Sequence, residues 1–156
     1  MKTRYVVGLL GAAAVLAAAC SSKTTYTIDG LCGPLTVASD AINPAQLDIS
    51  GPCNLGPSAG SFLLGAVVEI GLGATGAVPV AIDAGFVQGS AVLFSTFNGT
   101  ANIPTPPTFV GITGTFTFNG GTNQFSDATG SATVTDGGVD LTTFKANLLL
   151  NGSVSY

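Results

Sequence analysis

The side chains that could carry chemistry in this chain are carboxylates and cysteines, because the sequence has eight Asp or Glu residues, three Cys and no His. The lack of histidine excludes a Ser-His-Asp triad and most zinc or iron sites. Glu69 lies within an apolar run, where a carboxyl group could donate a proton or bind a ligand; the alternative is that it points to solvent. Asp136 and Asp140 could bind calcium, but Asp before Gly is typical of a turn. We therefore predict no catalytic residue, no metal and no cofactor.

The first twenty residues have the composition of an export signal. Lys2 and Arg4 precede an uncharged apolar stretch, residues 5–16, which is followed by three alanines and Cys20. This stretch is shorter than the roughly 20 residues that span a bilayer. The segment resembles a bacterial lipoprotein signal, with Ala17 where that family more often has leucine. The resemblance implies a signal peptide over residues 1–19, lipidation of Cys20, a lipidated tether over residues 20–24 and an outer-membrane anchor. The alternative is an ordinary secretory signal that leaves Cys20 as a free thiol.

The two remaining cysteines, Cys32 and Cys53, are 21 residues apart. In an oxidising compartment two such cysteines usually pair, so we predict a disulfide bond. Two unpaired buried thiols are the alternative, and a metal site lacks a histidine to complete it. The segment 32–57 contains several Pro and Gly residues, so it is predicted to be a turn-rich lobe that the disulfide holds together.

Composition limits the partners that this chain could bind. Charged residues make up 8% of the sequence and hydrophobic residues 46%. After removal of a signal over residues 1–19, Lys23 and Lys145 stand against eight acidic residues, a side-chain charge of 2 − 8 = −6. Nucleic-acid binding requires clustered Lys and Arg, so nucleic acid is excluded as a partner. The expected partners are a membrane, through the lipid, and a small apolar ligand.

Period-two alternation of apolar and polar residues predicts antiparallel strands, most clearly in the last third of the chain. Strands are predicted over residues 109–119, 128–135 and 144–156, with Asn98-Gly99 and Asp136-Gly137-Gly138 as turns. Residues 62–72 are apolar on both faces and are predicted to form a buried strand. The predicted class is all-β: a single antiparallel barrel of about eight strands over residues 25–156, with a β-sandwich as the alternative.

The stretch 120–130 resembles a signature of the allene oxide cyclase and dirigent-like barrels. The matching residues are Gly120, Gly121, Thr122, Phe125, Ala128 and Gly130. Asn123 replaces a further glycine of that signature, and asparagine also tolerates positive φ. The resemblance implies an eight-stranded barrel in which this segment forms a turn and Phe125 closes one barrel end. It transfers no active-site residue, because those proteins use arginine or tyrosine with acids and this chain has no arginine after Arg4.

Two functions are compatible with these features. The first is a non-enzymatic, lipid-anchored envelope protein with a structural or binding role. The second is a barrel that binds a small apolar ligand or isomerises it. A solvent-open cavity larger than about 300 Å³ that holds Glu69 or a tyrosine would favour the second function, whereas an interior filled with Phe, Val and Leu would exclude it. A transmembrane barrel is disfavoured because the chain has no Trp for an aromatic girdle.

Overall fold

The computed structural model describes residues 22–39, 46–69 and 75–156. Within these residues the chain forms eight β-strands and one short 3-10 helix, Asn123–Phe125. The strands are β1 Thr25–Ser39, β2 Gln46–Asn54, β3 Ser61–Glu69, β4 Gly76–Gln88, β5 Ala91–Ile103, β6 Phe109–Gly121, β7 Thr129–Asp140 and β8 Lys145–Ser155.

Each strand pairs antiparallel with the next one, and β1 also pairs with β8, so the sheet closes into a barrel. The closing ladder extends from the Thr25/Ser155 pair to the Thr36/Lys145 pair. The predicted antiparallel barrel is thus confirmed, in preference to the β-sandwich. Because all pairing is internal to Thr24–Tyr156, a chain that begins at Ser22 contains every strand of the barrel and its core. In the described part of the chain, no helix has the length and hydropathy to span a membrane.

The predicted alternation places one face of each strand inside the barrel. In β8, Ala146, Leu148, Leu150 and Val154 are buried, while the residues between them are exposed or half-buried. The outer face is rich in Thr, Ser and Asn, which suits β-strands because threonine is β-branched. The prediction of a strand buried on both faces over residues 62–72 is wrong for the described part, residues 62–69, because a single-layer barrel leaves the outer face to solvent; residues 70–72 lie outside the described residues. Leu63 is accordingly 59% exposed.

The Cys32–Cys53 disulfide is present, as predicted. Both cysteines are directly opposite one another in the β1–β2 ladder and are buried in the barrel. The segment that the disulfide closes is more regular than its Gly and Pro content indicates, since β1 and β2 extend through most of it. A register shift between Cys32 and Thr36 accommodates the proline of β1.

Asn98-Gly99 does not form the predicted turn. Both residues lie within β5 and pair with Thr115 and Gly114 of β6. A Cβ on Gly99 would lie 2.6 Å from the tip of the Phe97 ring and 2.9 Å from the Gly114 Cα atom. Glycine is therefore required here for the close approach of a ring and a neighbouring strand.

The predicted turn at Asp136-Gly137-Gly138 is also absent. β7 continues to Asp140 with a register shift between Val134 and Asp136, and the turn to β8 occupies residues 141–144. A Cβ on Gly138 would meet the Phe109 ring and the Val110 carbonyl. This glycine therefore serves packing against β6 and not chain reversal.

Candidate functional site

The two ends of the barrel differ in how they are filled. β1 begins and β8 ends at one end, which we call the plugged end because the residues 122–128 fold over it. The other end, where β2 begins and β3 ends, contains an apolar cavity and is called the open end. Because the topology is up-and-down, strands reach the two ends alternately along the chain. The candidate site is the cavity at the open end, where side chains from several strands meet.

The plugged end is packed with aromatic rings. Phe125 has no exposed surface, and its ring centroid lies 4.7 Å from that of Tyr156 and 5.8 Å from that of Phe62. Phe62 in turn contacts the fully buried Phe86 edge-on at 6.3 Å. Edge-on and tilted arrangements are the favourable ones for aromatic pairs. The interior at this end of the barrel is thus filled by aromatic side chains.

Hydrogen bonds fix the loop that carries Phe125. The Thr122 N–H donates to the Val92 carbonyl at 2.8 Å, and the Thr122 Oγ1 accepts from the Val92 N–H at 2.9 Å. The Ala128 N–H donates to the Phe125 carbonyl at 2.9 Å. Asn123 has a φ of 53°, the left-handed region that asparagine tolerates better than most residues. These bonds hold the 3-10 turn over the barrel end.

The glycines of the same segment allow the loop to lie close to β5. Gly120 has a φ of +107°, and a Cβ on Gly121 would collide with the Val92 carbonyl and the Phe125 side chain. Gly130 lies in β7 opposite Phe118 and Val154. All six residues singled out in this segment therefore occur at the plugged end, and none of them lines the cavity at the open end.

The open end holds a cavity of about 90 Å³. Its walls come from every strand except β1 among those described, and they are aliphatic apart from Phe97 and Glu69. The lining residues are Leu47, Ile49, Leu64, Ala66, Val68, Glu69, Val78, Pro79, Val80, Ile82, Phe97, Ala101, Ile103, Val110, Ile112, Val139, Leu141 and Leu148. The cavity is smaller than the 300 Å³ that would favour a drug-sized ligand.

Several apolar side chains on the inner face at this end are incompletely buried. Leu47, Ile49, Val78, Val80, Ile82, Ile112 and Leu141 are all half-buried although they point into the barrel. At the plugged end, by contrast, Ile28, Phe62, Phe86, Phe125 and Val154 are buried, and the half-buried inner residues are the two stacked tyrosines, Tyr26 and Tyr156. An apolar surface left open to solvent in a folded domain marks a binding groove or an interaction site. The open end is therefore the part of the barrel with the character of a ligand site.

The cavity reaches the side of the barrel between β3 and β4. These strands pair only from Leu63/Val87 to Ala66/Ala84, and in the described residues Val67–Glu69 have no partner on β4. We call this unpaired region the seam. Pro79 lies in β4 beside it, and proline is typical of a strand edge because it has no N–H to donate. The β4–β5 ladder is complete by comparison, from Gly76/Ile103 to Gln88/Ala91.

Glu69 stands at the mouth of the cavity, beside the seam. It is the last residue of β3, pairs with Gln46 of β2, and is exposed to solvent. Its position in the alternation of β3 is an outward one, yet the side chain contributes to the cavity lining because β4 does not cover the seam. Glu69 is thus neither buried nor remote from the cavity. Among the described lining residues it is the one ionisable group, so the lining offers it no second acid or base.

The two other acids considered as ligands have different surroundings. The Asp140 Oδ1 accepts hydrogen bonds from the Thr142 N–H at 2.8 Å, the Thr142 hydroxyl at 2.6 Å and the Thr143 N–H at 3.2 Å. The Thr142 bonds lower the pKa of the Asp140 carboxyl below its ordinary value. Asp136 is exposed within β7. No group of three His, Cys, Asp or Glu side chains among the described residues is placed to bind a metal ion.

The chain just before β1 is fixed to the plugged end. Thr24 and Tyr156 exchange two backbone hydrogen bonds, at 3.0 and 3.1 Å. The Lys23 ammonium donates to the Asp127 carbonyl. Cys20 and the proposed signal peptide lie outside the described residues.

The sequence analysis did not predict the cavity, although alternation along β4 places Val78, Val80 and Ile82 on the same face of that strand. A usable signal was the position of the aromatics along each strand. Phe62 is near the start of β3, whereas Phe86 and Phe118 are near the ends of β4 and β6. In an up-and-down barrel all three positions fall at the same end, which leaves the other end to smaller aliphatic residues.

The cavity, with its aliphatic walls and single carboxylate, can hold an apolar group and present one negative charge at its mouth. The resemblance to the allene oxide cyclase and dirigent-like barrels stays a prediction at this point. No protein-family model, curated protein or solved structure matches this chain.

Proposed function

We propose that this protein is an exported, lipid-anchored envelope protein whose barrel binds a small apolar ligand in the cavity at its open end, without chemical conversion. The observation that carries the proposal is the set of half-buried aliphatic side chains that face the barrel interior there. Covering them with an apolar ligand would be favourable by about 25 cal/mol for each Å² removed from water. A purely structural barrel gains nothing from leaving this surface open.

The size of the cavity limits the ligand. A buried water molecule requires roughly 10–15 Å³ of such space, so a cavity of about 90 Å³ has room for only a few heavy atoms. A small ring or the end of an alkyl chain would fit inside. The remainder of a longer ligand would lie in the mouth, against the half-buried residues at the rim.

Binding is favoured over isomerisation by the chemistry of the walls. General acid–base catalysis needs positioned proton donors and acceptors on the reacting group. Glu69 is exposed at the rim and has no ionisable neighbour in the described lining. The two described tyrosines, Tyr26 and Tyr156, stack on each other at 4.6 Å at the plugged end. Neither of these two tyrosines is therefore positioned to assist catalysis in the cavity.

The lipid anchor is proposed from the sequence of residues 1–20. The fold indicates which end of the barrel such an anchor would hold near the membrane. Thr24 is tied to Tyr156 at the plugged end. The four residue steps from Cys20 to Thr24 span at most roughly 14 Å at about 3.5 Å each. A lipid on Cys20 would thus hold the plugged end near the membrane, and the cavity would open at the opposite end of the barrel.

Ligand binding can be tested with the neutral fluorescent probe N-phenyl-1-naphthylamine on the chain that begins at Ser22. We expect saturable fluorescence enhancement that Ala101→Phe abolishes, because Ala101 lines the cavity and a ring there would fill it. Ala38→Phe is the matched control, since Ala38 is on the exposed face of β1. Absence of saturable binding, or equal loss in both variants, would contradict the binding proposal.

The anchor needs a separate experiment in cells that express the full chain. Globomycin, an inhibitor of the lipoprotein signal peptidase, should cause a larger precursor to accumulate. Incorporation of labelled palmitate should disappear in Cys20→Ala. A precursor whose size does not change with globomycin would refute lipidation and leave the binding proposal intact.

A further inference from the structure

The seam between β3 and β4 leaves unpaired backbone groups at the mouth of an otherwise apolar cavity. Beyond the Ala66/Ala84 pair, the described residues Val67–Glu69 pair with β2 but have no partner on β4, whereas β4 remains fully paired to β5 on its other side. Unpaired strand edges expose backbone N–H and C=O groups. A ligand that enters the cavity therefore meets apolar walls, and the part of it that remains in the mouth lies beside the backbone groups of the seam.

The charge at this wall has one sign. Glu69 is at the seam, and no described lining residue is cationic. Lys145 begins β8 at the same end of the barrel, but its ammonium donates to Thr36 Oγ1 at 3.2 Å on the outer face and does not line the cavity. The other described lysine, Lys23, is at the plugged end. An unpaired strand edge offers both hydrogen-bond donors and acceptors, so it does not distinguish a cationic ligand from an anionic one. Glu69, the one charged residue of the described lining, does.

We propose that the ligand is an amphiphile with a cationic end, such as a protonated amine on a short alkyl or cyclic apolar body. The apolar part occupies the cavity, and the ammonium group lies at the seam, where it donates to the Glu69 carboxylate and to edge carbonyls. A fatty-acid carboxylate at the same place would be repelled by Glu69. This inference rests on the proposed ligand-binding function and adds the chemical class of the ligand.

The test compares ligands that share a chain length and differ in charge. Octylamine, octanoate and octanol compete with N-phenyl-1-naphthylamine at pH 7, where the amine is protonated and the acid ionised. The Glu69 carboxylate attracts the ammonium group of octylamine and repels the carboxylate of octanoate. Both effects increase the ratio of the octylamine affinity to the octanoate affinity. We expect octylamine to compete at about tenfold lower concentration than octanoate, with octanol between them.

Two variants assign the preference to one residue. Glu69→Gln should bring the octylamine and octanoate affinities to within about threefold of each other, each calculated with the probe affinity measured for that variant. Asp127→Asn removes the same charge from an exposed position at the plugged end and should leave the preference intact. It thereby controls for the overall negative charge of the domain.

The outcomes separate the two proposals. If the probe does not bind the unsubstituted chain, the proposed function fails. If the probe binds but octanoate competes as well as octylamine, or if Glu69→Gln leaves the ratio unchanged, the cationic-ligand inference is overturned while ligand binding stands. If Asp127→Asn lowers the ratio of octylamine to octanoate affinity as much as Glu69→Gln does, the preference comes from the overall negative charge of the domain and not from Glu69. This result also overturns the inference.

Discussion

Replacing Phe125 with alanine should destabilise the barrel more than any change to an exposed aromatic residue. The Phe125 ring is completely buried and touches Tyr156 and Phe62 at centroid distances of 4.7 and 5.8 Å. The loop that carries it is held separately, through Thr122 and Val92. The loop should therefore stay in place in Phe125→Ala, so the substitution leaves a cavity beneath it.

The size of the effect follows from burial. Truncation of a fully buried Phe to Ala typically costs 3–5 kcal/mol, because transfer free energy is lost and the void is only partly refilled. We expect about 4 kcal/mol here. Phe94 is the matched control, since its ring is 46% exposed on the outer face. Half of the usual burial contribution gives about 1 kcal/mol for Phe94→Ala.

Urea unfolding followed by far-ultraviolet circular dichroism measures both values on the chain that begins at Ser22, with the disulfide intact. With a denaturant slope of about 2 kcal/mol per M, the urea midpoint should fall by about 2 M in Phe125→Ala and by about 0.5 M in Phe94→Ala. If the two variants lie within about 1 kcal/mol of each other, Phe125 does not form part of the core and the argument for a plugged end is refuted.

The remaining predictions concern the disulfide, one strained residue and two titrating groups. Replacing Cys32 and Cys53 together with alanine should lower the free energy of unfolding by about 3 kcal/mol, because the unfolded chain gains conformational entropy without the disulfide; a urea midpoint that does not move would contradict this. Phe144 has a φ of 53°, so Phe144→Gly should raise stability by about 1 kcal/mol while Phe144→Ala does not; equal midpoints for the two variants would show that the backbone is unstrained. Burial, and secondarily the neighbouring Tyr26, raises the pKa of Tyr156, so its stabilising contribution is present below about pH 10 and is lost as the pH rises through the folded value. Tyr156→Phe should remove that part of the alkaline loss of stability. Hydrogen bonds from Thr142 lower the pKa of Asp140, so its contribution is present above about pH 4 and is lost as the pH falls through the folded value; an acid unfolding curve unchanged in Asp140→Asn would disprove this.

Glycine was the residue type that sequence reasoning interpreted least well. Asn98-Gly99 and Gly137-Gly138 have the composition of hairpin turns, and both lie inside strands. Their role depends on neighbours from other strands, the Phe97 ring over Gly99 and the Phe109 ring against Gly138. Glycine is favoured both in a tight turn and where a ring or a neighbouring strand packs closely against the backbone. Only the register between strands shows which of these two reasons applies.

Glu69 illustrates the same limit at the candidate site. The sequence offered two alternatives, a carboxyl group buried in an apolar run or one that points to solvent. Its outward parity in β3 supports exposure, but the interruption of β3–β4 pairing places it at the cavity mouth. The inward or outward direction of a side chain follows from alternation along its own strand. The seam depends on where two neighbouring strands stop pairing, which one strand's sequence does not show.

The sequence by itself determined the all-β class, the inward and outward faces of most strands, and the Cys32–Cys53 pairing. These follow from alternation along one strand and from the number of cysteines, which need no knowledge of distant neighbours. Only the tertiary structure decided that Phe62, Phe86, Phe118 and Phe125 meet at one end and that the other end keeps an apolar cavity beside a seam with Glu69. The reason is that the filling of a barrel depends on how eight strands are staggered against one another, and that stagger is fixed by contacts between residues far apart in the chain.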